Sequence, residues 1–84
     1  LFGPAMKRVM PKRFAVCLDN RGNEASLIQG KVYRVLGDAR AAKDDLIRVV
    51  DESGEDYLFA KQQFAFVNLP QAVKKRILAF ERAS

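Results

Sequence analysis

The sequence predicts a mainly β fold, in which five short strands form a small barrel and an amphipathic α-helix follows at the C-terminal end. Residues 51–64 read as a tight turn, a short strand and a one-turn corner, which is the order found in the closing half of a small barrel. Residues 13–18 alternate between two faces, as a half-buried strand does. Apolar residues recur at steps of four and three along residues 70–82, which indicates a helix with one apolar face.

The length and composition fit one small folded domain. With 84 residues, of which 49% are hydrophobic and 30% charged, the chain has an ordinary globular composition and room for a single core. Its apolar runs are short and interrupted by charge, which argues against a membrane span and against a secretory signal. We therefore expect a cytoplasmic protein with no membrane partner.

The regional boundaries follow from changes in composition. Residues 1–5, LFGPA, look like the remnant of an expression-tag protease site, and we expect translation to start at Met6; a native extension is the alternative. Residues 6–12 form a basic N-terminal segment, residues 13–67 the barrel and residues 68–84 the C-terminal helix. The first five residues are expected to carry no function.

The first strand is predicted from its alternation. Within residues 13–18, Phe14, Val16 and Leu18 lie on one side and Cys17 lies on the other. Cys17 has no histidine partner anywhere in the chain, so it is expected to be a small packed residue rather than a nucleophile. The polar, turn-forming stretch that follows is predicted to be a long irregular loop.

The next two strands are separated by a polar segment. Residues 31–36 are rich in β-branched and aromatic side chains and form the second strand. Residues 37–45 break the pattern and are predicted to be a loop, although their alanines allow a single helical turn. Residues 46–51 form the third strand.

A hairpin, a corner and a helix complete the chain. Residues 52–55 form a turn in which Gly54 can take a positive φ, and they lead into a fourth strand at residues 56–60. Residues 61–63 make one tight helical turn before a last strand at residues 64–67. In the helix of residues 70–82, proline occupies the first position. The apolar stripe of this helix consists of Val73, Ile77 and Phe80.

Three segments of the sequence carry a family resemblance. FAVCLDN, EASLIQGKVYRVL and LIRVVDESGEDYLFAKQQFAFV resemble the Src homology 3 (SH3) pattern of strand, loop, strand, hairpin, corner and closing strand, over about residues 14–67. The chain is also similar to small stand-alone bacterial proteins with a DxSGEDYLY-like segment, whose function is uncharacterised. The resemblance implies a five-stranded SH3-like barrel. It implies less about function, because that barrel serves peptide binders, nucleic-acid binders and enzyme accessory domains.

The peptide-binding role of the eukaryotic SH3 family does not carry over well. That family holds polyproline segments in grooves lined by aromatic side chains, and this chain contains no tryptophan. The groove positions that are aromatic or proline in the family correspond here to Leu18, Asn20, Leu46, Ile47, Ala60 and Phe64. We therefore do not expect recognition of proline-rich peptides.

No set of residues points to catalysis, to a cofactor or to a metal. The chain has one cysteine and no histidine, which removes the commonest general base and metal ligand. Its carboxylate clusters, at residues 44–45 and 51–56, lie at predicted turns, where acidic side chains are simply solvated; a bound cation or an acid and base pair is the alternative. We expect a non-enzymatic protein with no cofactor.

The leading functional hypothesis is a protein-interaction or regulatory module whose partner is an unidentified protein. Acidic residues in the long loop and at the hairpin tip offer a docking surface for a basic segment, and three aromatic residues extend it. The alternatives are that the acidic residues neutralise Arg21, Arg48 and Lys61, and that the aromatic residues pack in the core. The candidate protein-binding residues are Asp19, Glu24, Tyr33, Glu52, Glu55, Asp56, Tyr57 and Phe64.

The second hypothesis is binding of nucleic acid by the basic termini. The net charge is +5, yet residues 14–69 carry seven basic and nine acidic residues, so the excess of positive charge lies at the two ends. A solvated, solubilising surface is the alternative. The candidate nucleic-acid-binding residues are Lys7, Arg8, Lys12, Arg13, Lys74, Lys75, Arg76 and Arg82.

The apolar stripe of the C-terminal helix must be covered by something. The simplest cover is the open end of the chain's own barrel. The alternative is a second copy of the chain or another protein, because an isolated helix this short is marginally stable. Homodimerisation through this helix is therefore a further partner hypothesis.

Overall fold

The structure, a computed structural model, describes residues 13–83, with side chains as far as residue 80. Its strands are β1 (Arg13–Cys17), β2 (Val32–Leu36), β3 (Leu46–Val50), β4 (Asp56–Ala60) and β5 (Phe64–Val67). Its helices are α1 (Ala39–Lys43), a 3₁₀ helix (Lys61–Gln63) and α2 (Gln71–Ala83). The predicted mainly β fold with a C-terminal helix is confirmed, and the ends of the predicted strands agree with the structure to within one residue.

All five strands belong to one antiparallel sheet with the order β4-β3-β2-β1-β5. Within residues 13–83, β4 and β5 do not pair with each other, so each is an edge strand. The sheet is therefore not closed, and the predicted closure into a barrel is not confirmed. The gap between these edges is where the candidate site lies.

The core lies on one face of the curved sheet, and the alternation predicted for β1 is confirmed within the strand, since Ala15 and Cys17 belong to the main cluster and Phe14 does not. Cys17 is fully buried in the main cluster, whereas Leu18, predicted to lie on the side of Phe14 and Val16, is 51% exposed. Leu18 lies just past the end of the strand, so the alternation no longer fixes its direction. Phe14 is buried on the opposite face. The other members of the main cluster are Ala15, Leu27, Tyr33, Val35, Ile47, Val49, Phe59 and Phe64.

The thiol of Cys17 is a packed group, as predicted. It has no exposed surface, and burial raises its pKa.

The prediction of a loop at residues 37–45 is wrong in its main form, because this segment contains the helix α1. The carboxylate of Asp38 caps the helix and accepts a hydrogen bond from Ala41 N at 2.9 Å. The same carboxylate accepts a hydrogen bond from Arg48 Nε at 2.9 Å. A capping side chain held by a neighbouring strand stabilises a helix that its length alone would not.

The prediction that the acidic residues at 51–56 are all solvated is wrong for Asp51. Asp51 is only 6% exposed, and its Oδ1 accepts hydrogen bonds from Ser53 N at 2.8 Å and Ser53 Oγ at 2.6 Å. Gly54 takes a φ of +85° in the same turn, as the sequence predicted. This carboxylate therefore organises the hairpin from inside, which is the common use of aspartate at a turn.

The helix α2 does not bury its apolar stripe on the sheet. Val73 is 40% exposed and Phe80 is 66% exposed, while Ile77 is half-buried. Ile77 and Phe80 border a shallow groove of about 540 Å³ whose opposite wall includes Val32 and Val50. The expected plugging of the barrel end by this stripe is therefore not seen.

Candidate functional site

A groove opens in the gap between the two edges of the sheet, and we call it the seam groove. Its volume is about 620 Å³, which is within the usual size range of ligand pockets. Its apolar lining comes from the start of β3, the end of β4 and β5, and its polar lining from the turn before β3 and the 3₁₀ helix. The apolar residues are Leu46, Ala60, Phe64 and Phe66, and the polar residues are Asp44, Asp45, Lys61 and Gln62.

The walls of the seam groove are joined by main-chain hydrogen bonds. Asp45 follows the C-cap of α1 with a φ of +58°, a left-handed conformation that aspartate tolerates better than most residues. Its carbonyl oxygen accepts a hydrogen bond from Lys61 N at 2.9 Å. At the other end of the 3₁₀ helix, the Lys61 carbonyl accepts from the N–H of Phe64. The turn before β3 and the 3₁₀ helix are thus held in place by backbone bonds.

The floor of the seam groove is aromatic. Phe64 is buried, with its ring centroid 6.1 Å from that of Phe59. Phe66 lies on the same face two residues further along β5, but it is 39% exposed because β5 has no second neighbouring strand. The Arg13 guanidinium lies 4.2 Å from the centroid of the Phe66 ring. A solvent-accessible ring in a groove is a surface that a ligand can cover.

Charged side chains of both signs line the seam groove. Asp44, Asp45 and Lys61 are exposed, and Asp45 and Lys61 are neighbours because their main chains are hydrogen-bonded. Within residues 13–83, none of these three side chains forms an ion pair. Their charges are therefore available to a ligand.

The sequence reasoning placed Phe64 in a binding face, but it did not include Phe66, Asp44 or Asp45 in one. The alternation of residues 64–67 already puts Phe66 on the face of Phe64. What the sequence lacks is a signal that this face is open at β5. That depends on which strands pair, and short strands carry little information about their partners.

Two of the predicted protein-binding residues, Tyr33 and Glu52, belong to one hydrogen-bond network that runs from the core to the surface. The Tyr33 hydroxyl accepts a hydrogen bond from Ile28 N at 2.8 Å and donates one to Glu52 Oε2. Lys31 Nζ lies 2.6 Å from the same carboxylate oxygen. Lys31 and the Tyr33 hydroxyl lower the pKa of Glu52, and burial raises the pKa of Tyr33. Because Tyr33 is 5% exposed, its ring is part of the core.

The other predicted acidic residues mostly have local partners. Asp19 binds Arg21 through both carboxylate oxygens, at 3.0 Å and 2.8 Å, and these hydrogen bonds lower the pKa of Asp19 to about 2. Asp56 pairs with Arg48 at 2.9 Å. The alternative interpretation, neutralisation of arginines, thus describes both pairs. Glu24 is exposed on the long loop.

Tyr57 and Glu55 come together at the start of β4. Tyr57 is 48% exposed and its hydroxyl donates a hydrogen bond to Glu55 Oε1 at 2.9 Å. This contact raises the pKa of Tyr57. Unlike Tyr33, Tyr57 therefore presents its ring at the surface.

The candidate nucleic-acid-binding residues are only partly placed. Arg13 stacks on Phe66, Lys75 and Arg76 are exposed on α2, and Lys74 on the same helix is half-buried. Lys7, Arg8, Lys12 and the side chain of Arg82 lie outside the described part of the chain.

Searches for other kinds of site and for similar proteins gave no positive result. In the part of the chain that the structure describes, no three acidic or cysteine side chains are grouped to hold a metal ion. None of the helices between residues 13 and 83 combines the length and apolar character needed to span a bilayer. The sequence matches no family model, and comparison with curated proteins and with solved structures gives no significant match.

Proposed function

We propose that this chain is a non-enzymatic protein-interaction module that holds an extended segment of a partner protein in the seam groove. The observation that carries the proposal is the exposed ring of Phe66 in a groove that is also lined by the charged residues Asp44, Asp45 and Lys61. Interfaces gain most of their affinity from an apolar side chain in a pocket, and charges beside the pocket set specificity.

The chemistry of the groove defines the partner segment. A bulky apolar side chain of the partner covers Phe66 and fills the space beside Leu46. A lysine or arginine next to it faces Asp44 and Asp45, which have no ion pair in residues 13–83. An acidic residue of the partner segment faces Lys61.

An SH3-like arrangement of the sheet is part of the proposal. The strand order β4-β3-β2-β1-β5 and the 3₁₀ helix between β4 and β5 support it. Three positions that the resemblance assigns to the peptide groove, Leu46, Ala60 and Phe64, line the seam groove. Because leucine and alanine replace the tryptophan and proline of that pattern, the expected ligand is not a polyproline helix.

The test is selection of binding peptides followed by measurement on variants. Peptides selected from a random display library are expected to share an apolar residue next to a basic one. Fluorescence anisotropy is expected to show about tenfold weaker binding to Phe66→Ala, which is the usual loss at a central contact. Asp44→Asn with Asp45→Asn is expected to weaken binding and to reduce its dependence on salt.

The matched control is Ile28→Ala, which removes an apolar side chain that is 52% exposed but lies outside the seam groove. It is expected to bind the selected peptides as the unmodified chain does. Failure to select any peptide, or equal binding to Phe66→Ala, would refute the proposal.

A second candidate function, binding of single-stranded nucleic acid, is favoured by one observation on α2. Phe80 is 66% exposed on the helix that carries Lys75 and Arg76, and stacking proteins combine aromatic and basic side chains in this way. The affinity for a labelled oligonucleotide should then fall steeply with salt, and less steeply for Lys75→Gln with Arg76→Gln. Absence of binding at low salt would eliminate this candidate.

A further inference from the structure

The free edge of β4 has its main-chain groups arranged for pairing with another strand. Asp51 N donates to the Glu55 carbonyl at 3.0 Å, and Lys61 N donates to the Asp45 carbonyl at 2.9 Å. These bonds mark the hydrogen-bonded positions at both ends of the β3–β4 ladder, whose register pairs Arg48 with Leu58. Because bonded and non-bonded pairs alternate, residues 56 and 58 direct both their N–H and C=O groups away from β3. The N–H of Ala60 points the same way, whereas its C=O belongs to the 3₁₀ helix that Ala60 caps.

The side chains on this edge are apolar at its centre. Leu58 is 43% exposed and Tyr57 is 48% exposed. Asp56, at the start of the strand, pairs with Arg48 at 2.9 Å. Its charge is therefore partly neutralised and does little to prevent another strand from pairing with this edge. An edge strand with exposed apolar side chains and without proline is a template for pairing.

We propose that two copies of this chain associate by antiparallel pairing of β4 with β4, about a twofold axis at Leu58. In this register each Leu58 lies opposite its own counterpart, and Tyr57 lies opposite Phe59 of the second copy. Glu55 lies opposite Lys61 of the second copy, and the symmetry makes this contact twice. The main-chain groups that meet are the N–H and C=O of Leu58, the C=O of Asp56 and the N–H of Ala60 on both copies, all of which β3 leaves free.

Charge complementarity selects this register over its neighbours. Centring the axis on Tyr57 places Glu55 opposite Phe59, and centring it on Phe59 places Tyr57 opposite Lys61. Either shift loses both Glu55–Lys61 contacts and shortens the pairing. Exposed ion pairs contribute about 0 to 1 kcal/mol each, so the two contacts favour this register modestly, and reversing the charge in both turns that gain into a loss.

The pairing and the proposed peptide binding share Lys61, but they can be separated at Phe66 and Leu58. Phe66, which carries that proposal, lies on β5 at the other edge of the sheet, whereas Leu58 does not line the seam groove. A dimer that binds no peptide, or a monomer that binds one, would therefore separate the two ideas.

A cysteine at the axis tests the register directly. Opposite residues of a hydrogen-bonded antiparallel pair have Cα atoms about 5.5 Å apart, which is within disulfide range. Leu58→Cys is therefore expected to form a disulfide-linked dimer rapidly in oxidised glutathione. Asp56→Cys is the matched control, because its two copies lie about 14 Å apart across the axis. The unmodified chain is the negative control, because its one cysteine, Cys17, is fully buried and is not expected to form a disulfide between copies.

Charge reversal tests the contact without a cross-link. Sedimentation equilibrium is expected to show a concentration-dependent dimer of the unmodified chain. Lys61→Glu is expected to weaken it about tenfold, because two attractive contacts become repulsive. Adding Glu55→Lys to that variant is expected to restore it, with circular dichroism showing that each variant is folded.

Two outcomes would overturn the inference. One is an unmodified chain that stays monomeric at high concentration while Leu58→Cys cross-links no faster than Asp56→Cys. The other is a dimer whose affinity is unchanged by Lys61→Glu, because a different surface would then hold the two copies together.

Discussion

The variant Tyr33→Phe removes one hydroxyl group and should lower the free energy of unfolding substantially, because that hydroxyl makes two hydrogen bonds. The hydroxyl donates to the carboxylate of Glu52 and accepts from Ile28 N at 2.8 Å, so it joins the hairpin tip and the long loop to the core. A hydrogen bond to a charged group contributes roughly 1.5–3 kcal/mol, and the N–H of Ile28 also loses its partner. We expect a loss of about 2 kcal/mol in the free energy of unfolding.

The assay is urea unfolding at neutral pH, with Tyr57→Phe as the matched control. With an m-value of about 1–3 kcal/mol/M, a loss of about 2 kcal/mol lowers the urea midpoint by about 1–2 M, so the effect is easily resolved. Tyr57 is 48% exposed and its hydroxyl bonds to Glu55 at the surface, so its loss should cost less than about 0.5 kcal/mol. Equal losses in the two variants would refute the idea that Tyr33 ties the loop and the hairpin to the core.

Three further predictions concern pH, a helix cap and the core. Lys31 and Tyr33 lower the pKa of Glu52 below 4.5, so its stabilisation should be present above that pH and be lost as pH falls through the lowered value. Acid titration followed by circular dichroism should therefore show a flatter decline for Glu52→Gln than for the unmodified chain. Asp38→Ala should lower the free energy of unfolding by about 1 kcal/mol, by removing the cap of α1, and equal stability in urea would contradict the capping role. Leu27 is only 1% exposed, so Leu27→Ala should lower the free energy of unfolding by about 2–5 kcal/mol in the same assay. Leu58→Ala, at the surface, should lower it far less. Similar losses in the two variants would mean that Leu27 is not in the core.

Local patterns in the sequence were sufficient to predict most of the secondary structure. The hairpin around Gly54 was predictable because a positive φ strongly selects glycine, and the amphipathic helix was predictable from its spacing of apolar residues. The helix α1 was predicted only as an alternative to a loop, because its stability comes from Asp38, whose cap is supported by Arg48, ten residues away. Sequence reasoning recognises a capping residue most easily when a long apolar stripe follows it, and here none does.

The candidate site was less predictable than the fold. Phe64 was identified, but the seam groove depends on the failure of β4 and β5 to pair, and no local pattern reports this. The burial of Asp51 was not predicted for a similar reason. Asp51 and Glu52 are neighbours in sequence, yet the first is buried inside the turn and the second pairs with Lys31, just before β2.

The open sheet links the proposed peptide groove to the proposed dimer. A small domain has few apolar side chains to place in its core, so leaving Phe66, Leu58 and Tyr57 at 39%, 43% and 48% exposure gives up burial that closure of the sheet would have provided. If both edges are used, that surface is buried by ligand or partner instead, and the stability of the folded chain should rise when either one binds. The unfolding midpoint should therefore increase with protein concentration, through the edge that carries Leu58, and with added peptide, through the edge that carries Phe66.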